Sequence, residues 1–461
     1  MQLSQGLRIT LLAVLGGLIF AVLFSWAAIM GLRGQGGAVG QVALTVSMFP
    51  ELVQRAGLEA HARISGEDDY LYVSVPRARE DMTGFAPLPS EAGETLDRFV
   101  FSGEAAAADR GWRLFAGAFA MSDGVVNGAV LVDPDFTIRR IWRLSEAALG
   151  EGVQEDNRTV VHGLQMAPNG DLLVLFDSGM SLQRVDACGG TVWIDRGRYH
   201  HTVSEVQDDG TIWALRYFVD DPADYEPTAE AFVQLDSETG AILREITVAE
   251  IAEANPYLAL FHTQARDMAI DGSNAMAFEA NWETDPFHFN DVEPLPASIA
   301  DAFPGFEAGD LLVSARTLNT VFVLDPDTLE VKWHLTAATH RQHDPDWQAD
   351  GTITIYDNRM GRGPSRIVSV DPATGALATL VDGAAQDFYS RVRGRQQITP
   401  RGDIAVVSPM QARAFEISDG ARSLEFYNLG PEESDRNLVL TEFLFIPEAQ
   451  FDLEDSSCDS R

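Results

Sequence analysis

The feature that most restricts this chain is a phrase that comes back six times. AVLVDPDFTIRRIWRL ends at Leu144, SLQRVDACGGTVWID at Asp195 and AFVQLDSETGAILREI at Ile246. TVFVLDPDTLEVKWHL ends at Leu335, RIVSVDPATGALATLV at Val381 and RAFEISDGARSLEFYN at Asn428. Each reads as a strand, a turn built on Asp, Gly, Pro or Thr, and a second strand that often carries Trp. The turn residues Asp133, Asp186, Asp236, Asp325, Asp371 and Ser418 stand about 46 to 53 residues apart, with one nearly doubled gap between Asp236 and Asp325. A chain of 461 residues is too long for one simple core unless that core repeats. Six copies at this period predict an all-β, six-bladed propeller over residues 110–450.

A second phrase precedes the first in several copies and completes a four-stranded blade. Near residue 160 the strands are VVHGLQMA, DLLVLF, SLQRVD and TVWID, joined by Asn-Gly, Ser-Gly and Gly-Gly hairpins. The first copy lacks its innermost strand. NLVLTEFLFIP, starting at Asn437, is the candidate to supply it and close the ring, which removes two exposed sheet edges. Residues 34–109 read as a lead-in or small cap, and residues 451–461 as a tail. The doubled gap holds an excursion over residues 248–286, expected to fold over one mouth of the channel.

The innermost strands carry the chemistry. The chain has nine histidines, and His162, His201 and His343 open the first strand of three copies. His200 precedes His201, and His288 opens the fourth copy in HFNDVEPL. A lone strand histidine is most often a structural residue. Four at one register position of a repeat are different, because rotation about the propeller axis carries them together. The alternation of strand directions puts Arg316, at the end of DLLVSAR, beside His288. Arg393-Gly394-Arg395-Gln396-Gln397 occupies the equivalent place in the last copy, and Asn358 lies just past the second strand of the fifth. His162, His200, Asn358 and Arg395 are therefore candidate substrate-binding residues. His262, His334 and His340 lack the register and are read as structural.

Two chemistries suit such a cluster. Neutral imidazoles bind zinc, copper or iron, with Asp291, Asp344 and Asp346 as available partners, which would make a metal-dependent propeller hydrolase. Arginine at the same mouth would repel a cation and suits an oxyanion instead, since a guanidinium pairs with two oxygens at once. One imidazole could then attack the central atom while its neighbours neutralise charge and move a proton. A third reading is a non-catalytic, membrane-anchored propeller that binds a partner or ligand.

The formal net charge of −36 argues against nucleic acid, whose affinity comes from Lys and Arg on phosphates. Residues 9–30, ITLLAVLGGLIFAVLFSWAAIM, carry no charge and would run about 33 Å as a helix, enough to cross a bilayer. The expectation is an uncleaved, single-pass transmembrane signal-anchor over residues 1–33, with the propeller outside the cytoplasm. The two cysteines, Cys188 and Cys458, form no CxxC pair. An oxidising compartment would permit a bridge between them, but two unpaired thiols are the expectation.

QHDPDWQADGTITIYDN from Gln342, the pairing of HFNDVEPL with GDLLVSAR, and HHTVSEVQDDGTIW from His200 resemble the bacterial arylsulfotransferases over roughly residues 110–430. The resemblance implies sulfuryl transfer from an aryl sulfate ester to a phenol, through a sulfohistidine and with ping-pong kinetics. It implies no cofactor and no nucleotide donor. It also implies that the membrane is a bacterial inner membrane and the compartment the periplasm. It assigns the nucleophile to His343, the sulfuryl-holding and leaving-group pair to His288 and Arg316, and the remaining channel histidine to His201 or His200. This chain also departs from the family pattern. PASIADAFPGFEAG is inserted between His288 and Arg316, and neither the large amino-terminal domain of well-studied members nor their short cysteine loop has a counterpart.

Overall fold

The computed structural model describes residues 20–27, 71, 73, 82–103, 108–145, 160–176, 181–217, 230–262, 287–432, 434, 436–451 and 453. The chain divides into two compact units, Met1–Glu67 with Gln264–Glu283, and Asp68–Thr263 with Thr284–Arg461. Of the first unit only residues 20–27 are described, and they are helical. Among the described residues no helix is long and apolar enough to cross a membrane. Most of the expected span over residues 9–30 lies outside the described set, as does most of the excursion beyond the helix Val248–Ala254.

The second unit is a six-bladed propeller. Five blades are four-stranded antiparallel sheets, and the sixth gains two outer strands, Ala86–Pro87 and Phe99–Gly103, from the lead-in. The innermost strands, from blade 1 to blade 6, are Leu440–Pro447, Val161–Met166, Arg198–Val203, Phe289–Pro294, His343–Trp347 and Arg395–Ile398. Each packs on the next, and the last returns to the first, so a closed ring lines the channel. The strand after Asn437 pairs with Gly111–Met121 and completes blade 1 with the carboxy-terminal part of the chain. At that seam Arg113 of blade 1 meets Glu416 of blade 6 at 2.6 Å, both with no exposure, so each compensates the other's buried charge.

Sequence pattern explains the blade. Middle strands are covered on both faces by neighbouring blades and read as unbroken apolar runs. Leu172–Phe176 and Leu311–Ala315 are buried at every position, whereas the outermost Leu377–Asp382 is exposed at all but Val381. The recurring Asp organises the turn before the last strand. Asp133, Asp186 and Asp325 each accept two backbone N–H bonds from residues two to four further on. In the sixth copy Asp419-Gly420 makes a left-handed two-residue turn instead (φ 50° and 76°), so Ser418 suffices there. The outer-strand tryptophans tie blades together: Trp142 and Trp193 donate their indole N–H to the carbonyls of Asp186 and Ser237 in the next blade.

Cys188 sits in one of these turns and is disulfide-bonded, which corrects the expectation of unpaired thiols. The chain's other cysteine, Cys458, lies outside the described residues. A bridge at that turn is what an oxidising compartment permits.

Candidate active site

Four inner strands break register at the same place. The bulges fall between Val161 and Gly163, His200 and Val203, Phe289 and Asp291, and His343 and Asp346. A bulge adds a residue to one strand and turns its side chain off the regular pleat. His201 and His288 take left-handed backbone angles there, φ 63° and 47°, which non-glycine residues adopt only where the surroundings hold them. The result is a chain of imidazoles across three blades. The rings of His162 and His201 lie 4.7 Å apart, and those of His201 and His288 4.8 Å apart. Arg316 lies beside His288 in the main chain, its N–H donating to the His288 carbonyl at 3.2 Å.

His343 is held by both ring nitrogens. Asn358 donates its amide to the carbonyls of Ser390 and Arg393 at 2.9 and 2.7 Å, so its oxygen faces His343. At 2.7 Å that oxygen can only accept, which puts the proton of His343 on Nδ1. Nε2 therefore keeps its lone pair and accepts a 3.2 Å bond from the Arg393 amide. Gly394, next in the chain, is required: its φ is 123°, and a Cβ would stand 2.2 Å from the Tyr356 ring. Burial first, then the Arg316 guanidinium, hold His343 well below the ordinary histidine pKa. His201 is also held low, by burial and by the imidazoles of His162, His288, His200 and His343. A neutral, oriented imidazole beside an arginine is a nucleophile for an anionic electrophile.

The family model for arylsulfotransferases (ASST) matches residues 163–426, more than half of the chain. The chain belongs to the arylsulfotransferase family. No curated protein matches it. Among solved structures, a protein of unknown function from Bacteroides caccae aligns with 8% identity over 73% of this chain and 100% of its own, TM-score 0.43. A streptogramin B lyase aligns with 12% identity over 75% and 98%, TM-score 0.40. Virginiamycin B lyase from Staphylococcus aureus aligns with 10% identity over 60% and 72%, TM-score 0.34. At these scores the likenesses carry nothing about chemistry.

Beneath the histidines this arylsulfotransferase-family propeller has a layer of acids gathered around one arginine. Asp291, Glu293, Asp344, Asp346 and Glu442 project from three inner strands around Arg395, which comes from a fourth. Arg395 donates to the Leu164 carbonyl at 2.9 Å and to Glu442 at 3.3 Å, and Asp344 stands 3.8 Å away. The structure thus places Arg395 in an ion network with these acids, at the wall of the cavity that His162, His201 and His343 also line. Burial pushes Asp344 up to about 6 and Glu442 up to about 8, and it raises Asp291, Glu293 and Asp346 well above the carboxylate range. Mutual repulsion adds to the rise at Asp291, Glu293, Asp346 and Glu442. A cavity of about 30 Å³ between the layers, lined by His162, His201, His343, Asp291 and Asp344, has room for water only. Among the described residues no three His, Cys, Asp or Glu side chains are arranged to hold a metal ion.

The acid layer predicts an unusual pH dependence of stability. Below 6.5 the unfolded chain protonates histidines that the fold keeps neutral, so the contribution of His201 and His343 rises with pH up to that point. Glu442 works in the opposite sense: it ionises near 4.5 in the unfolded chain but only near 8 inside the channel, so its contribution falls as pH rises between those values and is level above them. Thermal unfolding should show Tm dropping between pH 6.5 and 8, where the histidines no longer change charge in either state, and Glu442→Gln should flatten that drop. A wild-type Tm that holds level across that range would contradict the assignment.

The other sequence candidates separate by which way their rings turn. His162, His201 and His343 line one cavity, and His288 stacks edge-on against His201. His200 faces away from it, flat against Tyr217 at 4.0 Å, with Nε2 3.3 Å from a fully buried Glu230. Sequence reasoning names neither Glu230, Glu293 nor Glu442; it considers Asp291, Asp344 and Asp346 only as metal partners and gives the Arg393 amide no role. For the acids a signal exists: Asp291 with Glu293, and Asp344 with Asp346, alternate at the strand period below the histidines. For Glu230 there is none, because it opens a middle strand of its blade with no repeat in other copies.

Proposed function

We propose that this protein transfers a sulfuryl group from an aryl sulfate ester to a phenolic acceptor through a sulfohistidine at His343, without a nucleotide donor. The observation that carries the reading is the state of His343: Nδ1–H tied to Asn358, Nε2 unprotonated, and Arg316 close enough to depress its pKa. Membership of the family supports the reaction class.

In the first half-reaction Nε2 of His343 attacks sulfur, giving up its long contact with the Arg393 amide as the S–N bond forms. The sulfur–aryl oxygen bond breaks in line with it. Arg316 and His288 hold the three remaining sulfuryl oxygens, where charge shifts during transfer. His288 or His201 supplies the proton that the leaving phenolate needs. In the second half-reaction a phenol gives its proton to the same group and takes the sulfuryl from Nε2. The small-molecule partners are then an aryl sulfate and a phenol. We place the propeller in the periplasm, held at the inner membrane by residues 9–30, and the disulfide at Cys188 supports an oxidising compartment.

Initial rates with 4-nitrophenyl sulfate as donor and a phenol as acceptor, both varied, test this. Parallel double-reciprocal lines are expected, because the first product leaves before the acceptor enters. Lines that intersect would require both substrates on the enzyme together and would remove the covalent intermediate.

A further inference from the structure

The adjacent residues His200 and His201 do different things although both are imidazoles. Consecutive strand residues face opposite sides of a sheet. The bulge after His200 and the left-handed His201 modify that rule so that the two rings still touch. His201 turns into the channel. His200 turns into the blade, where its ring lies on Tyr217 and its Nε2 stands 3.3 Å from Oε1 of Glu230. The two Nδ1 atoms are 2.8 Å apart. Two lone pairs would repel at that distance, and two N–H groups would clash, so one proton lies between the rings.

We propose that Glu230 and His200 form a proton relay behind His201, and that the relay makes His201 the acid–base group of sulfuryl transfer. This inference rests on the function proposed above. His201 touches the reacting groups; His200 and Glu230 act through it and are positioning residues. With the Glu230 carboxylate 3.3 Å from His200 Nε2, the proton of a neutral His200 is favoured on that nitrogen, and two arrangements remain. In one, His200 is neutral, its Nδ1 accepts from His201 Nδ1–H, and His201 Nε2 is an unprotonated base. In the other, His200 is an imidazolium donating from both nitrogens, and His201 carries its proton on Nε2 and is an acid. They differ by one proton. When an acceptor phenol loses its O–H proton to His201 Nε2, the Nδ1–H proton of His201 passes to His200 Nδ1. When an aryl oxide leaves, the same steps reverse and deliver a proton to its oxygen.

The relay matters because of where the positive charge comes to rest. Around His201 stand the imidazoles of His162, His288 and His343, and these, with burial, resist a second cation there. Around His200 stand the Glu230 carboxyl and the Tyr217 ring, with Arg198 over the Tyr217 ring at 5.7 Å. The transferred charge therefore ends beside a carboxylate and an aromatic face rather than among imidazoles.

The test compares two donors in single turnover. Phenyl sulfate needs a proton at the leaving oxygen; 4-nitrophenyl sulfate releases a stabilised phenolate and needs it far less. Glu230→Gln keeps the size of the side chain and removes its charge. The ratio of the 4-nitrophenyl to the phenyl release rate is expected to widen about 100-fold in Glu230→Gln and in His200→Gln, the usual scale of general acid catalysis. Glu230→Asp should recover part of it. A merely structural role would slow both donors alike and leave the ratio unchanged, which overturns the relay. If neither variant folds, the wild-type solvent deuterium isotope effect reads the same step: larger for phenyl than for 4-nitrophenyl sulfate supports the relay, and equal values overturn it. Wild-type protein that releases no phenol from either ester overturns the sulfotransfer reading and the relay with it.

Discussion

Replacing His343 with alanine is expected to stop aryl sulfate turnover while leaving the propeller folded. The loss should reach background, on the order of 10⁴-fold or more, because removing the attacking atom removes the covalent route itself. The nucleophile needs Nδ1 fixed by a hydrogen-bond acceptor and an unprotonated Nε2, and His343 has both. Its neighbour His201 has Nδ1 engaged by a second imidazole instead, an arrangement suited to moving protons. The His343 side chain sits at a bulge in an inner strand whose neighbours Trp347 and Ile353 carry the packing, so the fold should survive. Circular dichroism and Tm report the fold, and release of 4-nitrophenol reports the chemistry. A folded His343→Ala protein with near wild-type turnover would end the assignment.

The second large effect belongs to Arg316. Removing one electrostatic partner of a developing charge typically costs about a hundred- to a thousandfold in rate, and Arg316→Ala should fall in that range for the first half-reaction. Arg316→Lys should recover little, since an ammonium cannot grip two oxygens in one plane. A second signature has a definite sign. Arg316 depresses the pKa of His343, and the nucleophile must be neutral. Without the arginine that pKa rises, so the acid limb of the pH–rate profile should move to higher pH in Arg316→Ala. An unmoved limb would mean that Arg316 acts on the substrate alone.

Much of this arrangement is legible before any coordinates. The turn aspartates reveal the blade count because Asp133, Asp186 and Asp325 each accept two backbone N–H bonds in the turn, a local requirement that leaves a residue-level trace. His162, His201, His288 and His343 reveal the mouth because rotation maps one register position onto another. Arg395 shows the limit. Its register matches the histidines, yet its length lets it reach down to Glu442 and the Leu164 carbonyl, and register does not encode reach. His200 shows another. Nothing in the pair His200-His201 says which ring enters the channel; the bulge decides it, and the bulge depends on how Arg198–Val203 pairs with Thr211–Tyr217. The lead-in is equally opaque. Phe99–Gly103 pairs with Ala421–Asn428 more than three hundred residues away, and short strands joined over such distances have no local signature.

The most direct measurement is the intact mass of the protein after mixing with 4-nitrophenyl sulfate and no acceptor, followed by mapping of the modified peptide. The account predicts a gain of one SO₃ group on the peptide carrying His343, discharged by added phenol and absent in His343→Ala. Unmodified protein during active turnover, or a sulfuryl group on any other residue, would contradict it.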